Sequence, residues 1–344
     1  MMWFEALFGF PEASYAESRS QFRVLGNRLH SRVNDRSFRI GEFSTPRLED
    51  LRAKGRATGS RGVPRITHEA VDDVLELHAQ QQNRGALFQV ASQFNCLEFS
   101  HPGVTPEEGV TGYVYDLTQG PACSLASAAG TVFRNYFAPV RGSQGQTWDN
   151  QIDNLEDLSA ALGRPDEYWS VRNGYTSSTP QRLAALRHAL EGRDREQLLG
   201  QLRIGIQYEV GVDFIDRFTQ VDSESGAVVS QAFCSAISCS YTNLDNHEWE
   251  PLARLVLDAT YEATLWAAAV NAAREHGTNK VWLTFIGGGV FGNDFEWIAD
   301  AIGRAIGQVS GIDLDIRIAH YRNINSELEV MITEAVARYV GNSR

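Results

Sequence analysis

The sequence predicts an α/β fold with a mixed, largely parallel central sheet and helices on both of its faces. Three observations predict it. Val281–Ile286 (VWLTFI) and Ala86–Ala91 (ALFQVA) are short apolar runs of the kind buried on both faces in a parallel sheet. Trp249–Gly277 and Asp294–Val309, on either side of the first run, repeat apolar residues at helical spacing. Leu314, Ile316 and Ile318 then alternate with charged residues, as a further strand does. Helices alternating with buried strands in this order belong to a sheet covered on both sides.

Composition narrows the function classes. A chain of 344 residues with 43% hydrophobic and 22% charged residues can bury a sizeable core. A net charge of −12 argues against general binding to a nucleic-acid backbone, although one small anion could still find a local site. Cys96, Cys123, Cys234 and Cys239 lack CxxC or Cys/His metal spacing and read as buried, reduced thiols, so neither a metal nor a cofactor is expected. Met1–Phe10 is apolar but too short for a signal peptide and is interrupted by Glu5; no run reaches the length of a membrane span. A soluble, cytoplasmic protein is the expectation.

Taken in order, residues 1–85 read as an N-terminal extension packed on the core. Thr45 and Pro46 suit an N-cap and a first helical position, and Lys54–Arg65 (KGRATGSRGVPR) reads as a basic, glycine-rich loop. Thr67 is placed to cap a short helix through Val71, Val74, Leu75 and His78. After the strand at 86–91, SQFNCLEF runs into a long polar connection. Gly120 and Pro121 then open a helix of small residues, among them Ala122, Cys123, Ser124 and Ala126, against whose N-terminus an anion could lie. Residues 138–200 read as a largely helical insertion, with a stripe at Ile152, Leu155, Leu158 and Leu162 and a helix opened by Thr179–Pro180. Arg203–Val210 and Val228–Tyr241 suit a hairpin. The long helix follows, ended by Gly277, and residues 326–344 close the chain as a helix through Leu328, Met331, Ile332 and Ala335.

Between the strand at 281 and the helix capped by Asp294 lie Gly287, Gly288, Gly289, Val290, Phe291, Gly292 and Asn293. A buried strand passing through a bare-backbone loop into a helix start collects free N–H groups and the positive end of a helix dipole, which suits a phosphate. Phe291, held between glycines, is either a core residue or a ring presented to a sugar or base.

The order of elements from 249 to 320 resembles the C-terminal half of a macrodomain, and Gly288-Gly289-Val290-Phe291-Gly292 is similar to that family's diphosphate loop. FQVASQFN (Phe88–Asn95) and Thr118–Gly130 extend the resemblance over residues 86–325, interrupted by the insertion at 138–200. It implies a three-layer α/β/α macrodomain-like fold and a partner that is ADP-ribose or an ADP-ribosylated macromolecule. It implies further that residues 287–293 and the backbone of Gly120, Pro121, Ala122 and Cys123 hold the diphosphate. Asn95 and Phe291 would meet the distal ribose, and Asn95 or Gln119 would orient an attacking water. The chain departs from the family in three places. No acidic residue before strand 86–91 matches the adenine contact, and TQGPAC replaces the first glycine run without its Asp. Glu107 and Glu108 are adjacent but lie in a different loop, as surface carboxylates.

Three functions follow. One is a hydrolase of ADP-ribosyl linkages, an ADP-ribosyl glycohydrolase; another is a non-catalytic module for ADP-ribose or a related NAD-derived nucleotide. The third comes from Gln119 and Cys123 at a helix start: a cysteine nucleophile, with His247 or His320 as base. Packing against the sheet is the ordinary role of such a cysteine.

Overall fold

The computed structural model describes residues 2–163, 167–221 and 226–341. At its centre lie seven strands: β1 (Glu42–Ser44), β2 (Arg65–Val71), β3 (Leu87–Ala91), β4 (Gly205–Gly211), β5 (Val228–Cys234), β6 (Lys280–Leu283) and β7 (Asp315–Tyr321). Their order is β1-β4-β5-β3-β6-β7-β2. Every pairing from β5 to β2 is parallel, while β4 runs antiparallel to both β1 and β5. This is the mixed, largely parallel sheet that the apolar runs imply.

Side-chain alternation divides the core between the two faces of this sheet. Leu87, Val281, Leu283, Ile316 and Ile318 pack into one cluster, and Phe88, Trp282, Val229 and Ala319 into another. The first face is covered by α1 (Leu48–Ala57), α5 (Asn246–Ala272) and α6 (Phe295–Gln308), with α7 (Ser326–Gly341) packed on α6. Over the second face lie α2 (Val74–Ala79), α3 (Gln119–Ala126) and α4 (Ala128–Tyr136). Helices therefore sit on both sides, giving three layers.

Several sequence expectations shift. Thr67 caps no helix: residues 65–71 are the edge strand β2, paired with β7 along their whole length, and α2 is capped by Asp73, which accepts from the Leu75 N–H at 2.9 Å. Thr45–Pro46 do not open α1, whose N-cap is Arg47 with Asp50 accepting from the Arg47 N–H at 3.2 Å. Lys54–Ala57 belong to that helix rather than to a loop. The first 85 residues thus supply both edge strands. α5 begins at Asn246, where Asp245 and Glu248 form a capping box, and it ends at Ala272 instead of Gly277. Asp294 caps α6 as its sequence suggests, accepting from the Glu296 N–H at 2.9 Å.

The insertion combines three short helices with two two-stranded hairpins, and Thr179 and Pro180 open the helix Pro180–Leu190 as expected. Its residues 164–166, and residues 222–225 between β4 and β5, lie outside the described residues, as do Met1 and residues 342–344. The apolar N-terminus is a helix, Trp3–Phe8, whose rings pack edge-on against Phe22 and Phe38. All four cysteines are free and buried. Among the described residues no helix is long and apolar enough to cross a membrane, and no His/Cys/Asp/Glu cluster could hold a metal.

Asp213, just past β4, is buried at the start of α4 and accepts from the Ala129 N–H at 2.8 Å. Burial pushes its carboxyl up to about 7, against the opposing pull of that N–H and of Arg36. Its folded value lies above the unfolded 3.8, so the stability it contributes is complete below that and is lost as pH rises through 7. Asp213→Asn should gain on the wild type by about 2–3 kcal/mol between pH 5 and pH 8, at about 1.4 kcal/mol per pH unit of the window. Urea unfolding at the two pH values checks this, and a constant gap would contradict it.

Candidate functional site

β3 and β6 pair only through Val281–Leu87 and Trp282–Phe88 and then part. Where they diverge, Gln119 at the start of α3 takes over the freed backbone groups of β3. Its Oε1 accepts from the Ala91 N–H at 2.6 Å, and its Nε2 donates to the Gln89 carbonyl at 2.7 Å. The Thr284 N–H on the other side donates to the Gln89 side chain at 3.2 Å. Such a parting leaves a crevice beyond the carboxyl ends of the strands, the ordinary ligand position in an open α/β sheet. Here it is a cavity of about 340 Å³, lined by the ends of β3 and β5, the start of α3 and the segment that follows β6 from Thr284.

The structure brings seven of the expected residues to this cavity: Gln119, Gly120, Pro121, Gly287, Gly289, Val290 and Phe291. Gly120 is required by close approach, since a Cβ there would stand 1.8 Å from the Ala91 carbonyl oxygen. Gly287 has φ +78°, and a Cβ would meet that of Ala236 at 2.4 Å.

Other expected residues are corrected. Gly288 lies against the Phe295 ring and Gly292 against Ser240, with room for no Cβ, so both shape the turn without lining the cavity. Asn293 is buried and ties the turn to the chain after β5, its Nδ2 donating to the Ile237 carbonyl at 2.7 Å. Ala122 and Cys123 are buried behind the first turn of α3. Burial drives the Cys123 thiol well above its usual pKa, its sulfur accepts from Gln119 at 3.2 Å, and it does not line the cavity. His247 is exposed at the start of α5, and His320 bonds His68 at 2.8 Å between β7 and β2; neither lines the cavity.

Both proposed water-orienting residues are engaged within the fold. Asn95 is buried off the cavity, donating to Gln151 at 2.8 Å and accepting from the Leu97 N–H at 3.1 Å. Gln119 lines the cavity, but its amide is spent on Ala91, Gln89 and Cys123. Both are struts. Glu107 and Glu108 also lie off the cavity, accepting from the Trp148 and Thr105 N–H groups.

Sequence reasoning missed Glu98, Asp116, Tyr175 and Tyr241. Glu98 is buried, and its Oε2 accepts from Ser124 at 2.7 Å and from the fully buried Arg134 at 3.2 Å. Burial raises its carboxyl pKa, with Arg134 pulling the other way. Asp116 Oδ1 accepts from the Thr118 N–H at 2.9 Å and its hydroxyl at 2.6 Å. Tyr175, Tyr241 and Phe291 form a ring cluster with centroids 4.9, 5.5 and 5.7 Å apart. The D-x-T spacing of Asp116 and Thr118 before a small-residue helix was a readable cue to Asp116; Glu98 and the tyrosines had none.

Chemically, the cavity joins two stretches of bare backbone with an aromatic wall and two carboxylates, one of them already paired with an arginine. Among the described residues that line it, none is Lys, Arg or His. An anion there would rely on N–H groups and the α3 dipole.

No family model and no curated protein matches this chain. Among solved structures it is similar to the poly(ADP-ribose) glycohydrolase of Deinococcus radiodurans in complex with ADP-ribose, at 16% identity over 97% of this chain and 100% of that one, with a TM-score of 0.46. It is also similar to the poly(ADP-ribose) glycohydrolase of Thermomonospora curvata, at 15% identity over 93% of this chain and 96% of that one, with a TM-score of 0.47.

Proposed function

We propose that this chain binds the ADP-ribosyl group, free or attached to a macromolecule, and hydrolyses the bond between the ribose and what it is attached to. One observation carries the reading. The start of α3 at Gly120–Pro121 and the turn Gly287–Phe291 bound a single cavity of about 340 Å³, with the Phe291 ring beside them. Backbone on two sides suits a diphosphate, a ring suits the adjoining ribose, and the volume falls in the ordinary range of ligand sites. The diphosphate-loop resemblance of residues 288–292 supports the same ligand. Donors fixed in the fold could stabilise charge that develops during bond cleavage without reorganising.

A non-catalytic binding module is the second reading. It is favoured by the first turn of α3, where Gly120 and Pro121 bring no titratable side chain to the cavity.

Calorimetric titration with ADP-ribose, with ADP as control, tests the ligand on the wild type and on Gly289→Glu. A Cβ at Gly289 meets no atom within 4 Å, so the variant should keep its melting temperature while bulk and charge block the cavity. The expected result is at least a ~100-fold loss of ADP-ribose affinity, about 2.7 kcal/mol. A wild type that binds neither ligand would overturn the reading. Release of ADP-ribose from modified protein then separates the hydrolase from the module.

A further inference from the structure

We infer that the group joined to the ribose in the ligand of this cavity is a planar cation, a guanidinium or a pyridinium, held by Asp116 and the rings of Tyr175, Tyr241 and Phe291. This rests on the function proposed above and names its substrate class. The aromatic cluster and the carboxylate face one cavity. The Tyr175 hydroxyl is held by the Phe99 carbonyl at 2.5 Å, which fixes the ring.

The charge on Asp116 is available. Thr118 engages only its Oδ1. Arg217 donates to the Asp116 carbonyl at 3.3 Å, but its nearest carboxylate contact is Asp73, at 3.8 Å. The other carboxylate of the cavity, Glu98, already has Arg134. Among the described residues, a carboxylate in no ion pair shares this cavity with three aromatic rings and no cationic side chain lines it, a setting that recognises a planar cation.

Such a group also fits a first helical turn that offers no acid. As water oxygen bonds to the anomeric carbon, the carbon–nitrogen bond breaks and its electron pair goes to nitrogen, discharging the cation. The leaving group departs neutral with no prior protonation. The proton given up by the water passes to the released guanidine, or to solvent when the leaving group is a pyridine.

Two sources share this chemistry, an arginine-linked ADP-ribosyl peptide and NAD, and the test separates them. Affinity and, where turnover occurs, kcat/KM are measured for an ADP-ribosyl-arginine peptide, NAD and an ADP-ribosyl-serine peptide, on the wild type and Asp116→Asn. Asparagine keeps the acceptor for Thr118, and melting temperature checks that the fold persists. One or both cationic ligands should be preferred about tenfold or more over the serine-linked one, and D116N should cut that ratio by about threefold or more, the rings keeping the remainder. Preference for the arginine peptide alone identifies the guanidinium, and for NAD alone the pyridinium. Equal treatment of all three ligands, or a preference that D116N leaves unchanged, overturns the inference while ADP-ribose binding stands. Failure to bind free ADP-ribose overturns the function itself.

Discussion

Arg134→Met is expected to cost about 3–5 kcal/mol of stability at pH 7, the range for a buried ion pair that loses one partner. Arg134 is fully buried, stacks 3.7 Å over the Phe233 ring, and donates to the Cys96 carbonyl, Gln207, Ser124, Thr131 and Glu98. Methionine can fill much of the volume, but it leaves the buried Glu98 carboxylate without its cation. The pH dependence identifies the cause. Burial holds the Glu98 carboxyl above its unfolded value of 4.5, and without the guanidinium it rises further. The wild type carries part of this penalty too, so the deficit grows as pH rises from the wild-type folded pKa towards the variant's higher one and shrinks as pH falls below them. Urea unfolding over a pH series should therefore show the deficit shrinking as pH falls. A deficit that does not change with pH would mean lost packing alone, and Glu98→Gln added to Arg134→Met should recover part of the loss at pH 7.

Gly120→Ala should abolish ADP-ribose binding and destabilise the chain together. The added Cβ would lie 1.8 Å from the Ala91 carbonyl oxygen and 3.0 Å from its carbon, with the Glu98 Cγ at 3.1 Å. Both of the nearest atoms are backbone, so relief requires α3 to move away from β3. Overpacking of this kind costs about 1–3 kcal/mol. The movement would also break the two Gln119 bonds that hold the helix start against Gln89 and Ala91. Calorimetry should show ADP-ribose affinity down by more than ~100-fold, about 2.7 kcal/mol, and melting should come earlier. Gly289→Glu makes the useful contrast, losing binding without losing stability. Unchanged binding in Gly120→Ala would show that the start of α3 is not a wall of the ligand site.

The strand at 281, the glycine turn, the Asp294 cap and the helix behind it were legible because each is written in adjacent residues: an apolar run, residues without Cβ, an acceptor before an apolar stripe. Misreadings arose where a local pattern had a distant partner. Val71, Val74, Leu75 and His78 sit at helical spacing, yet Arg65–Val71 is extended because β7 pairs with every residue of it. Asn95 and Gln119 were candidates because the macrodomain resemblance implies a place for them beside the distal ribose. Their hydrogen bonds are instead consumed by Gln151, Leu97, Gln89 and Ala91.

By itself, then, the sequence determined the buried strands, the bare turn after β6 and the small-residue start of α3, since periodicity and the absence of Cβ act within a few residues. Tertiary structure alone decided that β3 and β6 part at Phe88 and Trp282, which of the glycines face the opening, and that Asp116 shares it with Tyr175, Tyr241 and Phe291. Those outcomes depend on how backbone and polar groups far apart in the chain satisfy one another, and no window of sequence contains both partners.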